Sequence, residues 1–239
     1  MTNQKKADGR SPWTRPGFLF GGAFVVLILV LGVVLVVTTS DDPADSTPTA
    51  QPAPPAGDPA PAPPADEGPT TVPTSAPPGV RWELFQTVAL PYSAKAGPRQ
   101  VDTSVAAGYA HTPTGALLAA SHIPVRKLLA PNWQQVVERQ VMPGPGRDAF
   151  AAARATITDA TPAAGQLGQF AGFRFVNYSP DTATVQLVNR FVSGRMQVTT
   201  ITVQWDGTDW RLALQPDGSD SPSAQKIDSV VGYIEWGGV

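Results

Sequence analysis

Cysteine is absent from the 239 residues. That excludes disulfides, thiolate metal sites and cysteine nucleophiles. Histidine is scarce as well: only His111 and His122 could serve as bases tuned near neutral pH. They stand too far apart in sequence for the i, i+4 spacing of a helical metal pair. His111, directly before a helix start, reads as a local hydrogen-bonding residue, and His122 near Pro124 reads as solvent-facing. The recurrent catalytic and phosphate signatures are missing too: there is no GxSxG, no HExxH, no phosphate-cradling glycine loop and no calcium loop. The tract Gly144-Pro145-Gly146-Arg147-Asp148 is glycine-rich, but Pro145 and the lack of a lysine argue against a phosphate site. It reads instead as the connection before a helix. Two carboxylates that could act as a pocket acid, Glu138 and Asp148, fall where helix-surface residues are expected. No catalytic, cofactor-binding or metal-ligating residue is therefore assigned, no cofactor is expected, and the chain reads as non-enzymatic.

Charge is sparse and unevenly placed. Charged residues make up 15% of the chain, for a net charge of −2. Residues 1–17 carry a net +3, residues 41–80 carry six acids and no base, and the part from Arg81 onward is close to neutral. A near-neutral folded part gives no electrostatic case for nucleic-acid binding.

Between Phe18 and Val37 charge is missing altogether, leaving FLFGGAFVVLILVLGVVLVV. As a helix this run spans roughly 30 Å, the hydrocarbon thickness of a bilayer, and a helix satisfies its own backbone hydrogen bonds there. Basic residues precede the run and acidic ones follow it, so the positive-inside rule puts residues 1–17 in the cytoplasm and the rest outside. A cleaved signal peptide is the competing reading. Its apolar core would be shorter and would end at a small-residue cleavage site, whereas Thr38-Thr39-Ser40 is followed at once by Asp41-Asp42. The expectation is an uncleaved single-pass anchor in the cell membrane. Gly21, Gly22 and Gly32 make no GxxxG pair, so helix dimerisation has no specific support.

Residues 38–80 form a Pro/Ala-rich stalk, with 13 of the chain's 26 prolines between 41 and 80. Proline fixes φ and lacks an amide proton, so such a tract favours polyproline II and reads as a spacer with an upper reach of roughly 120 Å. The remaining residues, 81–239, suffice for one domain with a real core.

Within that domain the periodicity changes once. Arg81–Val88 alternates as a strand or an extended lead-in, with Pro91 as its stop, and Ser93–Gly108 reads as a loop. Thr112 and Pro113 form a helix start, and Pro124 ends or kinks that helix. Trp133, Val136, Val137 and Val141 mark a second helix after Asn132, and Phe150, Ala153 and Ile157 a third. Beyond Gly165 the spacing becomes alternating, in Phe173/Phe175, Val185/Leu187, Ile201/Val203/Trp205 and Trp210/Leu212/Leu214. The punctuation between these runs is Ser179-Pro180-Asp181, Ser193-Gly194 and Asp206-Gly207, the last a hairpin signal. Helices followed by an antiparallel meander mean α+β. The tail from Lys226 suits either a helix or a strand, and either could cover a sheet edge. Core packing accounts for most of Trp82, Trp133, Trp205, Trp210 and Trp236, with Trp205 or Trp210 available to cover a groove.

The meander from Phe170 to Leu214, above all Trp205-Asp206-Gly207-Thr208-Asp209-Trp210-Arg211-Leu212, resembles the nuclear transport factor 2-like cone. The layout of basic tail, single helix, linker and such a domain resembles the bitopic assembly factors of type IV secretion and conjugation machines, including TcpC-like proteins. The stretches Pro91–Pro98 and Gly108–Ala116 are similar to a family of actinobacterial membrane proteins of unassigned function. These resemblances imply a membrane-anchored scaffold or assembly protein in a conjugation or secretion apparatus. Its partners would be the lipid bilayer, other envelope or secretion-system proteins and a second copy of itself, with no nucleic acid. The alternative they leave open is an extracytoplasmic small-ligand-binding or enzymatic domain that uses the cone pocket, with His111 or Tyr109 facing inward.

Overall fold

The computed structural model describes residues 71–158, 162 and 165–238. The expected cytoplasmic tail at 1–17, the expected membrane helix at 18–37 and most of the expected stalk at 38–80 lie outside the described residues. Among the described residues no helix is long and apolar enough to cross a membrane.

The first strands among the described residues form a hairpin of β1 (Val80–Phe85) and β2 (Val88–Ser93), paired from Val80↔Ser93 to Phe85↔Val88. The turn is Gln86-Thr87, with Gln86 at φ 56. Pro91 does not stop the strand: it sits inside β2 opposite Trp82. A two-stranded ribbon has a free edge, and proline is tolerated on an edge strand because its missing amide proton need not serve a ladder. The stretch read as a loop holds a small ladder of β3 (Gln100–Val101) and β4 (Ala106–Ala107).

Helix α1 (Pro113–Leu129) starts as expected, with Thr112 Oγ1 accepting from the Gly115 amide at 3.1 Å and Pro113 at the first position. It does not end at Pro124 but continues to Leu129. Tertiary packing overrides the lost hydrogen bond, because the helix is enclosed by β2, α2, β6, β7 and β8. Residues Ala116 to Ile123 are all buried, so α1 is the spine of the core and not an amphipathic surface helix. Helix α2 (Trp133–Gln140) follows Asn132. Helix α3 (Pro145–Ala155) begins inside the tract read as a connection: Gly144, at φ 145, is its N-cap and Pro145 its first residue. Asp148 then falls in the first turn, where the helix dipole favours a carboxylate, and Ile157 lies beyond the helix end.

The main sheet is antiparallel, in the order β10-β5-β6-β7-β8, built from β5 (Gln169–Ser179), β6 (Thr182–Arg190), β7 (Met196–Trp205), β8 (Trp210–Ala213) and β10 (Ile234–Glu235). The end of β7 at Met196–Thr199 pairs instead with β9 (Ala224–Ile227). The tail is therefore strand and not helix, and β10 covers part of the β5 edge through Phe173 and Gly172. Trp236 follows β10 and packs edge-on against Trp82, at 4.8 Å between ring centres, and against Phe173, at 5.3 Å. This aromatic contact ties the N-terminal hairpin to the sheet. The described residues form an α+β fold: three helices against a mostly antiparallel sheet, with the core between α1 and the inner faces of β5 to β8.

Candidate functional site

The larger concavity is an open groove of about 820 Å³ beside the point where the chain enters the domain. Its floor is aromatic, formed by Trp82 from β1, Phe170 from β5, Phe191 after β6 and Trp236 after β10. Their convergence follows from topology. The β1–β2 hairpin leans on the β5 end of the sheet, and the C-terminal segment returns along β5, where the Trp236 amide donates to the Ala171 carbonyl at 3.2 Å. Exposed Arg190 and Glu235 supply the charge at its edges. Val192 on the rim is 87% exposed. Pro77, from the end of the proline-rich stretch, is buried in the groove wall.

A smaller cavity of about 190 Å³ lies between α1 and the inner face of the sheet. Val125, Leu128 and Leu129 wall it on one side, Leu187 and Ile201 on the other, with Asn189, Thr199 and Ser221 as polar points. Asp220 also lines it and pairs with Lys127, whose Nζ lies 3.0 Å from Asp220 Oδ1. Lys127 Nζ is also 3.8 Å from the Phe150 ring centre. Burial pulls the lysine below its ordinary range, and the Asp220 carboxylate opposes that shift. Neither His111 nor Tyr109 lines this cavity, so the expected inward-facing groups are not the ones present.

Further along α1 is a buried polar cluster. His122 does not face solvent: it is fully buried, with Nε2 2.6 Å from the Pro91 carbonyl. That contact makes Nε2 the protonated nitrogen. Burial above all, and Arg126 as well, lower its pKa to about 3, against the opposing pull of the Pro91 carbonyl. Tyr92 meets the imidazole edge-on at 4.8 Å. Arg126 donates to the Tyr92 hydroxyl at 3.1 Å and to the Ser104 carbonyl at 3.0 Å, while its guanidinium lies 4.2 Å from the Phe85 ring centre. Gln140 donates to the Ala106 carbonyl at 2.5 Å and sits beside the Tyr109 hydroxyl. Burial holds that phenol well above its usual range. The bonds of this cluster clamp α1 and α2 onto β2 and the β3–β4 ladder, while the Tyr109 hydroxyl, His122 Nδ1, Arg126 Nε and Gln140 Oε1 stay buried without a hydrogen-bond partner among the described residues.

His111 acts locally, as expected: its Nε2 lies 2.5 Å from the Pro180 carbonyl and its ring stacks on Trp205 at 4.1 Å. Trp210 is buried and donates to the Ala110 carbonyl at 2.9 Å. Half-buried Trp205 is covered by His111, so neither tryptophan borders the large groove. Glu138 and Asp148 are exposed on their helices, as expected. Asp209 carries weight that the sequence does not announce. It accepts from the amides of Gly108, Tyr109 and Trp210, which joins β4 to the β7–β8 turn. Burial nevertheless holds its carboxyl above the usual range. Among the described residues no group of three or more His, Asp or Glu side chains could hold a metal ion.

No curated protein and no solved structure matches the chain. One family profile does, over residues 43–235, so that the match begins well before β1 and takes in most of the proline-rich tract. Spanning most of the 239 residues, that match shows that the chain belongs to the family described as a domain of unknown function, DUF8175.

Proposed function

We propose that the protein is a non-enzymatic scaffold, anchored in the cell membrane by residues 18–37, whose domain binds another envelope or secretion-system protein outside the cell. The observation that carries this reading is the open aromatic groove at the stalk junction. Large, rigid aromatic side chains around a concavity provide contact area at low entropic cost, the property that makes such residues dominate protein-binding surfaces. The chemistry of the buried titratable groups supports it: His122 and Arg126 are bonded into the fold, and Lys127 is paired with Asp220. Within this reading the domain is a nuclear transport factor 2-like cone. The bulges in β5 at Phe170/Gly172 and Phe175/Asn177 favour it, because extra residues bend a strand and curl a sheet. Placement in a conjugation or secretion machine rests on the chain's resemblance to bitopic assembly factors.

The test is to crosslink the intact, tagged protein in its native membrane, solubilise it gently and identify what co-purifies. Recovery of channel or motor proteins of such a machine supports the reading, and a preparation of the protein alone contradicts it.

The cavity between α1 and the sheet favours a second reading, a small apolar ligand held with its polar end toward Asn189, Thr199 or Ser221. Filling the space from its half-buried wall with Val125→Phe should abolish uptake of such a ligand.

A further inference from the structure

The aromatic groove has an occupant of matching chemistry close at hand. We propose that it receives the chain's own proline-rich segment, residues 43–70, as an extended ligand. The proposal rests on reading the groove as a recognition site and goes on to name its first ligand. Pro77, the last stretch of the same tract, is already buried in the groove wall, so proline rings fit this surface. Half-buried Trp82 and Phe191 give the groove its accessible aromatic surface, backed by buried Trp236 and Phe170, and proline-rich segments dock on such surfaces because a segment restricted in φ loses little entropy on docking. Val192 presents an apolar side chain at the rim that is 87% exposed. Of the two exposed charges at the groove, Arg190 complements the acids of the tract, Asp45, Asp58, Asp66 and Glu67, and Glu235 opposes them, so the acids of a docked tract belong at the Arg190 end.

Chain length permits the return. Residue 71 is within a few residues of the groove wall, and Glu67-Gly68-Pro69 supplies a Gly-Pro turn signal. The run from Pro59 to Asp66 can then lie back across the floor. Tethering makes the encounter intramolecular, with an effective concentration in the millimolar range for short links. The family match takes in the tract together with the domain, from residue 43 to residue 235. A docked tract draws the domain toward the membrane and competes with any partner that uses the groove.

The cysteine-free sequence makes the test clean. Val192→Cys would be introduced into the full-length protein in native membranes together with Ala56→Cys, Ala60→Cys or Ala62→Cys in turn, then mildly oxidised. The expected result is an intrachain disulfide for at least one pair. Val231→Cys, which is as exposed but outside the groove, should give none with the same partners. In parallel, maleimide labelling of Val192→Cys alone should speed up severalfold when residues 43–67 are deleted. Disulfides only between chains would overturn the proposal in favour of a second copy. No disulfide together with unchanged labelling would overturn it outright. Neither result touches the scaffold reading, which is decided by co-purification of partners.

Discussion

Lys127 and Asp220 form an unequal pair: the lysine side chain is fully buried, the aspartate is 23% exposed, and 3.0 Å separates Nζ from Oδ1. The two partners therefore differ in what they leave behind when one is removed. Asp220→Ala strands an ammonium in the core, a loss of about 3 kcal/mol or more, limited by the ability of Lys127 to shed its proton. Lys127→Met leaves an aspartate that can reach water and keeps an apolar chain over the Phe150 ring, so it should cost less than about 1.5 kcal/mol. Denaturant midpoints of the two variants check this ordering.

The second prediction concerns pH. His122 is neutral in the fold, with a pKa of about 3, and ordinary once unfolded, near 6.5. Between those values the unfolded chain binds the extra proton, so this group's contribution is intact above about pH 6.5 and falls as pH drops toward 3. The slope is at most about 1.4 kcal/mol per pH unit. Asp102, held below its usual range by the Val105 and Ser104 amides, adds to acid loss. Asp209, held above its range by burial, works in the opposite sense. His122→Gln should flatten the decline between pH 6.5 and 4.5 when stability is measured by denaturant titration.

The helix start is testable on its own. Thr112→Ala removes the acceptor for the Gly115 amide and should cost about 1 kcal/mol. Gly115→Ala should cost more, because a Cβ there would run into the Ala110 carbonyl. Thermal unfolding of both variants ranks them.

Trp236→Ala deletes the ring that joins Trp82 to Phe173 and should cost about 3–5 kcal/mol. It should also loosen the β1–β2 hairpin before the rest of the domain. Limited proteolysis near Gln86-Thr87, at rates compared with wild type, reads that loosening directly.

These residues mark what the sequence makes legible. The Thr112-Pro113 start, the second helix after Asn132 and the Asp206-Gly207 turn are written in neighbouring residues, and local rules find them. Pro91 misleads, because as a local signal it says stop and a free ribbon edge tolerates it. Pro124 says end or kink, and the packing around α1 carries the helix on to Leu129. His122 resembles a surface residue beside a proline until strand β2 and Arg126 close over it. Lys127 and Asp220 read as ordinary charges, because nothing near either residue announces the other. The groove is least visible of all, since Trp82, Phe170 and Trp236 come together only when the tail returns along β5.

A groove that binds another protein must lose that partner when its rim is charged. Crosslinking in the native membrane, run side by side on the intact protein and on Val192→Asp, addresses this most directly. An exposed rim residue can accept the charge without unfolding the domain, so a difference reports the surface. Specific envelope proteins should be recovered with the wild type and depleted in the variant. Recovery of the protein alone, or equal recovery from both, would contradict a binding role for the groove.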